Sequence, residues 1–146
     1  MTVTWVVVAH RAGARIFEHR GPGLGLVPIR VLSHPEGRLR DREITSDRPG
    51  SLRGGGGPGP KGLASDGAPE HEATVFAKEI AGALESGRME ARYEQLVIVA
   101  PPRFLGRVRA ALSSACAQRV LGCVDKDLPD ASGDELAPHL ASLIAV

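Results

Sequence analysis

The chain has 146 residues, which is enough for one domain with a hydrophobic core. Its residues are 42% hydrophobic but only 3% aromatic, so the core must consist mainly of Val, Leu, Ile and Ala. The net charge is +1, yet residues 1–61 carry ten Lys or Arg against five Asp or Glu, whereas residues 62–146 carry eight against twelve. The basic first part indicates a face that could meet phosphate, although the excess of arginine is equally typical of a biased genome composition.

Two cysteines, Cys116 and Cys123, have no ligand-like neighbours, so we predict two buried structural thiols and neither a zinc site nor a disulfide. The N-terminus lacks a basic segment followed by a long apolar one, and no apolar run reaches the ~20 residues of a membrane span. We therefore expect a cytoplasmic protein without a membrane span, metal or cofactor. The sequence leaves the oligomeric state open.

Three short apolar segments open the chain. Residues 4–9 and 15–19 read as two strands of a hairpin, and residues 26–32 as a third strand. Pro28 has no N–H to donate to a sheet, which predicts an edge strand or a bulge there.

A dense charged run, HPEGRLRDREITSDRPG at residues 34–50, follows the third strand. Its arginines alternate with acidic residues, and burying such unpaired charge would cost several kcal/mol, so the run must stay in water or contact a partner. Twelve of the residues in 49–69 are Gly or Pro, which predicts a mobile, solvated loop within a single domain 1–146.

The second half of the chain alternates between helix and strand. Pro69 is predicted to open the longest helix, which extends to about residue 91. The continuous apolar run 96–100 is typical of a strand buried on both faces, and a helix over 103–112 follows it.

The last elements are a short helical turn near Ser114, a strand over 120–124 and a C-terminal helix. Ser132 and Glu135 form a capping box that opens this helix, and we expect its apolar side chains to face inward: Leu136, Leu140, Leu143 and Ile144. The order of elements predicts an α/β fold, with a mixed sheet of about five strands and helices packed on it.

Candidate binding residues are taken from the charged run, the glycines after it, the first turn of the long helix, and the segments that follow the last two strands, where ligands gather in α/β sheets. They are Arg38, Arg40, Asp41, Arg42, Ser46, Asp47, Arg48, Gly54, Gly55, Gly56, Gly57, His71, Arg103, Asp125 and Lys126. No motif indicates a catalytic residue.

Four separated motifs carry a resemblance to a known family: HPEGRLRDREITSDRPG, PEHEATVFAKEIAGAL, LVIVAPPRFLGRVRAAL and VDKDL, in that order. The chain resembles the bacterial family of proteins required for attachment to host cells. That family in turn resembles the middle domain of eukaryotic and archaeal peptide-release factors, which implies a ribonuclease-H-like sheet. In release factors the corresponding loop carries Gly-Gly-Gln, whose glutamine positions the hydrolytic water. Here the only glutamines are Gln95 and Gln118, so the resemblance does not carry that activity over.

Three functional hypotheses remain open. The first is a noncatalytic factor associated with RNA or the ribosome. The second is a metal-dependent hydrolase or nuclease that uses Asp41, Asp47, Asp125 or Asp127. The third is a protein-interaction module that affects attachment and binds a protein partner through the 49–69 loop.

Overall fold

The computed structural model of the chain describes residues 2–33 and 61–146, and for residues 61–70 it describes the helical backbone without the side chains. The charged run and the glycine cluster of residues 34–60 lie outside the described residues. What the sequence predicts for them therefore stays a prediction.

The described residues form a five-stranded sheet with helices on both faces. The elements, in chain order, are β1 (Thr4–His10), β2 (Gly13–His19), β3 (Val27–Ser33), α1 (Lys61–Met89), β4 (Gln95–Val99), α2 (Pro102–Ala111), α3 (Ser114–Ala117), β5 (Val120–Val124) and α4 (Gly133–Leu140).

The sheet is mixed, in the order β3-β2-β1-β4-β5. The first three strands are antiparallel neighbours, whereas β1, β4 and β5 run parallel to one another. This confirms the predicted α/β class and the mixed five-stranded sheet. The finer ribonuclease-H-like assignment stays a prediction.

Alternate residues of the central strands build one core on each face of the sheet. Trp5 and Val7 of β1 pack with Phe76 and Ile80 of α1 on one face. Val6 and Val8 pack on the other face with α4, whose Leu136 and Leu140 are fully buried. Because a core packs against each face of β1 and β4, both faces of these strands are buried, and this explains why their sequences are continuously apolar.

The long helix α1 begins earlier than the sequence predicted. Its first residue is Lys61 and not Pro69, so the expected loop 49–69 is wrong from residue 61 onward. The glycines and prolines of that window are concentrated before Lys61, and the segment after it contains good helix formers such as Leu63 and Ala64. No described helix, α1 included, is long and apolar enough to cross a membrane.

The C-terminal helix is shorter than predicted. The capping box is present, with Ser132 Oγ accepting from the Glu135 N–H at 3.2 Å and Glu135 Oε1 accepting from the Ser132 N–H at 2.8 Å. The helix ends at Leu140, so Leu143 and Ile144 lie beyond it, although both still pack against the second core.

Two smaller predictions were also tested. β3 is an edge strand, and its register with β2 shifts next to the pairing of Pro28 with Phe17, which confirms the edge and the bulge. Cys116 is buried as predicted, whereas Cys123 is only half-buried because β5 forms the other edge of the sheet.

Candidate functional site

The parallel strands bring three chain segments together at one edge of the sheet. β1, β4 and β5 all end there, so the residues that follow each strand meet although they are distant in sequence. His10 is the last residue of β1 and Arg11 follows it, Pro101 leads from β4 into α2, and Asp127 lies in the loop after β5.

These segments and α1 enclose a cleft of about 430 Å³. Three arginines line it: Arg11 from the end of β1, and Arg103 and Arg107 from α2. The two on α2 are four residues apart, so they lie on the same side of that helix, one turn from each other. Among the lining residues that the structure describes, Asp127 is the one carboxylate, so arginine is the prevailing charged residue of the cleft. We call the cleft lined by Arg11, Arg103, Arg107 and Asp127 the arginine cleft.

Two contacts hold α2 at the cleft. Arg107 donates from Nη1 to Thr74 Oγ1 of α1 at 2.8 Å. The Phe104 ring is stacked on the Phe76 ring of α1, with centroids 6.1 Å apart and an interplanar angle of 26°. The arginines therefore project from a helix whose position relative to α1 is fixed by packing.

His10 is half-buried at the base of the cleft, and its Nδ1 accepts a hydrogen bond from the Ala12 N–H at 3.4 Å. The neutral ring therefore carries its proton on Nε2. Burial lowers the pKa of His10 below its ordinary value of 6.5, Asp127 and Asp130 oppose this effect, and Arg11 and Arg15 add to it. His10 is neutral at neutral pH, so it can act as a hydrogen-bond donor there.

A second cleft, of about 330 Å³, adjoins the first, with His10 and Pro129 lining both. Arg15 of β2 lines this second cleft. Its guanidinium carbon lies 5.1 Å from the centroid of the Phe17 ring, and its Nη2 donates to the Leu128 carbonyl at 3.4 Å. A fourth arginine thus extends the cationic surface past His10.

Metal chemistry finds no support in the described side chains. In residues 2–33 and 71–146, no three or more His, Cys, Asp or Glu side chains are grouped so that they could hold a metal ion. Of the carboxylates in the hydrolase hypothesis, Asp127 lines the arginine cleft, and Asp125 is exposed after β5. Asp41 and Asp47 lie outside the described residues.

Of the predicted site residues that the structure describes, Arg103 lines the cleft. His71, Asp125 and Lys126 are exposed and are not among its lining residues: His71 lies two residues before Ala73 on α1, and Asp125 and Lys126 precede Asp127 in the loop after β5. The others lie outside the described residues: Arg38, Arg40, Asp41, Arg42, Ser46, Asp47, Arg48, Gly54, Gly55, Gly56 and Gly57.

Three charged or titratable residues of the cleft were not predicted from the sequence: His10, Arg11 and Arg107. A signal for the first two was present, because they follow a buried strand that could have been parallel to the strand at 96–100. The pairing of β1 with β4 makes this strand end equivalent to those of β4 and β5. Arg107 could have been found from its spacing to Arg103 on one helix face.

Comparison with known families identifies the chain's relatives. The fold and site define an α/β domain with a cationic cleft at the carboxyl ends of its parallel strands. The sequence profile of the family described as "Protein required for attachment to host cells" matches residues 5–140, and the chain belongs to this family. No curated protein matches the chain. The further likeness to release-factor middle domains stays a prediction.

Proposed function

We propose that this host-attachment family protein is a noncatalytic factor that binds RNA, or the ribosome through its RNA, along the sugar-phosphate backbone. The observation that carries the proposal is the arginine cleft, in which Arg11, Arg103 and Arg107 converge from two elements. Arginine suits phosphate because its planar guanidinium donates two parallel hydrogen bonds to one phosphate group.

Shape and charge support a polymeric anion as the ligand. The arginine cleft continues past His10 into the second cleft with Arg15, so cationic groups follow one another along a surface groove. A phosphodiester chain presents a negative charge at every nucleotide and can follow such a groove. The charged run 34–50, with its arginines, leaves from the end of β3, next to Ser33 of the second cleft.

The hydrolase hypothesis has weaker support. A two-metal or metal-activated mechanism needs several carboxylates that converge on the ion. Among the described side chains the cleft offers one carboxylate, Asp127, beside three arginines, and not a set of converging carboxylates.

The test is binding of a fluorescent single-stranded oligoribonucleotide, followed by anisotropy over a range of salt concentrations, together with co-sedimentation with ribosomes. If three phosphates are neutralised, the logarithm of affinity should fall against the logarithm of salt with a slope of about −2. Absence of binding to both RNA and ribosomes at low salt, or binding that salt does not change, would contradict the proposal.

A further inference from the structure

A row of polar side chains crosses the sheet at the end opposite the arginine cleft. Thr4 of β1 pairs with His19 of β2 on one side and with Gln95 of β4 on the other. Paired residues of neighbouring strands share a face, so the three side chains lie together on the face that α4 covers. Thr4 is 2% exposed and His19 is 4% exposed, and they are the buried polar residues of the described chain.

The hydrogen bonds within the row determine what it can offer a ligand. His19 Nδ1 lies 3.1 Å from the Gly25 carbonyl oxygen, which can only accept, so Nδ1 carries the proton and Nε2 of the neutral ring is an acceptor. Thr4 Oγ1 donates to Gln95 Oε1 at 3.2 Å, and the amide nitrogen of Gln95 has two N–H donors. The row thus combines an imidazole acceptor with amide donors.

The row opens onto a cavity of about 540 Å³, a size usual for sites that bind small molecules. Its other walls include Thr2, Leu24 and Ile144, and Arg20 follows His19 at its edge. The Arg20 side chain is 61% exposed, and its Nε donates to Glu18 Oε1 at 3.1 Å. The guanidinium of an Arg20–Glu18 ion pair therefore lies at the rim, and the polar side chains of Thr4, His19 and Gln95 also line the cavity.

We propose that this cavity binds a small hydroxy acid, with the carboxylate near Arg20 and a hydroxyl group at the polar row. A hydroxyl both donates and accepts, so a hydroxyl group of the ligand can donate to His19 Nε2 or accept from the Gln95 amide. An apolar ligand would leave these groups unpaired, which is costly in a buried site, and a cationic ligand would meet Arg20. The proposal is independent of RNA binding, because the two sites lie at opposite ends of β1.

The test is a titration of the isotope-labelled protein with sodium gluconate, followed by amide chemical shifts, with glucose and sodium acetate as comparison ligands. Gluconate should shift the amides of residues 2–4, 19–25 and 95 and should bind at least about tenfold more tightly than glucose or acetate. Each comparison ligand lacks one of the two groups that the cavity is proposed to recognise.

Arg20→Met should weaken gluconate binding about tenfold, whereas Arg30→Met, the same change at an exposed arginine of β3 outside the cavity, should leave it unchanged. No shifts up to about 20 mM gluconate, equal affinity for glucose, or equal loss in both variants would each overturn the proposal. Gluconate binding does not depend on whether the arginine cleft binds RNA. Each of the two proposals can therefore be contradicted without affecting the other.

Discussion

Arg107 and Thr74 join α2 to α1 beside the arginine cleft through a hydrogen bond of 2.8 Å between Nη1 and Oγ1. The bond has a positioning role, because it ties a side chain that lines the cleft to the neighbouring helix. The Arg107 guanidinium is therefore oriented by α1.

Thr74→Val removes the acceptor while keeping the shape of the side chain. We expect the free energy of unfolding to fall by about 1 kcal/mol, as for the loss of one hydrogen bond, and RNA affinity to fall several-fold because Arg107 is less well oriented. Urea denaturation and RNA anisotropy measure the two effects. Unchanged RNA affinity would show that Arg107 needs no support from Thr74.

Two glycines of α1 should respond oppositely to alanine. A Cβ at Gly87 would lie 2.6 Å from the buried ring of Trp5, which is held against Tyr93 with centroids 4.8 Å apart. Gly87→Ala should destabilise the fold by about 1–3 kcal/mol through this overlap. Gly82 has no neighbour within 4 Å of an added Cβ, so Gly82→Ala should stabilise the helix by about 0.5–1 kcal/mol. Thermal denaturation of both variants would check this, and equal effects would contradict it.

Glu85 should contribute to stability in an acid-dependent way. The Arg88 guanidinium, and then Ser113 and Cys116, donate to its carboxylate and lower its pKa from 4.5 to about 2. Because the folded pKa is the lower one, the stabilisation is full above pH 4.5 and is lost as the pH falls towards about 2.

Glu85→Gln should therefore be less stable than the wild type near neutral pH, and the difference should shrink over that acid range. Denaturation at a series of pH values measures it, with Glu79→Gln, an exposed change on the same helix, as the control. A difference that stays constant with pH would contradict the assignment.

His10 should make RNA binding depend on pH. Burial lowers its pKa in the free protein, with Asp127 and Asp130 opposing and Arg11 and Arg15 assisting. A phosphate in the cleft would stabilise the imidazolium and raise the pKa of His10, so binding takes up a proton and affinity rises as the pH falls through the pKa of His10 in the complex. His10→Gln should lose this rise in RNA anisotropy titrations, and an identical pH profile in both proteins would exclude His10.

Much of the fold could be predicted because its signals are local. The apolar run at 96–100 and the Ser132–Glu135 capping box each depend on a few adjacent residues, and both were confirmed. The start of α1 was missed because proline is typical of a first helical turn, whereas Pro69 lies inside the helix that begins at Lys61.

The candidate site was less predictable, because it depends on contacts between distant segments. Arg103 was predicted as a binding residue and Asp127 as a carboxylate of the hydrolase hypothesis, whereas Arg11 joins them only through the parallel pairing of β1 with β4. The buried strand before Arg11 is compatible with that pairing, but its sequence does not determine which strand it pairs with.

The most direct test of the account is the RNA affinity of Arg103→Glu compared with that of Arg92→Glu. Both variants change the net charge equally, but Arg103 lines the arginine cleft, whereas Arg92 follows α1, near the amino end of β1, and pairs with Glu90 at 3.0 Å. We expect Arg103→Glu to weaken binding at least about tenfold, with a shallower salt dependence, and Arg92→Glu to have little effect. Equal loss in both variants would contradict a specific role of the cleft.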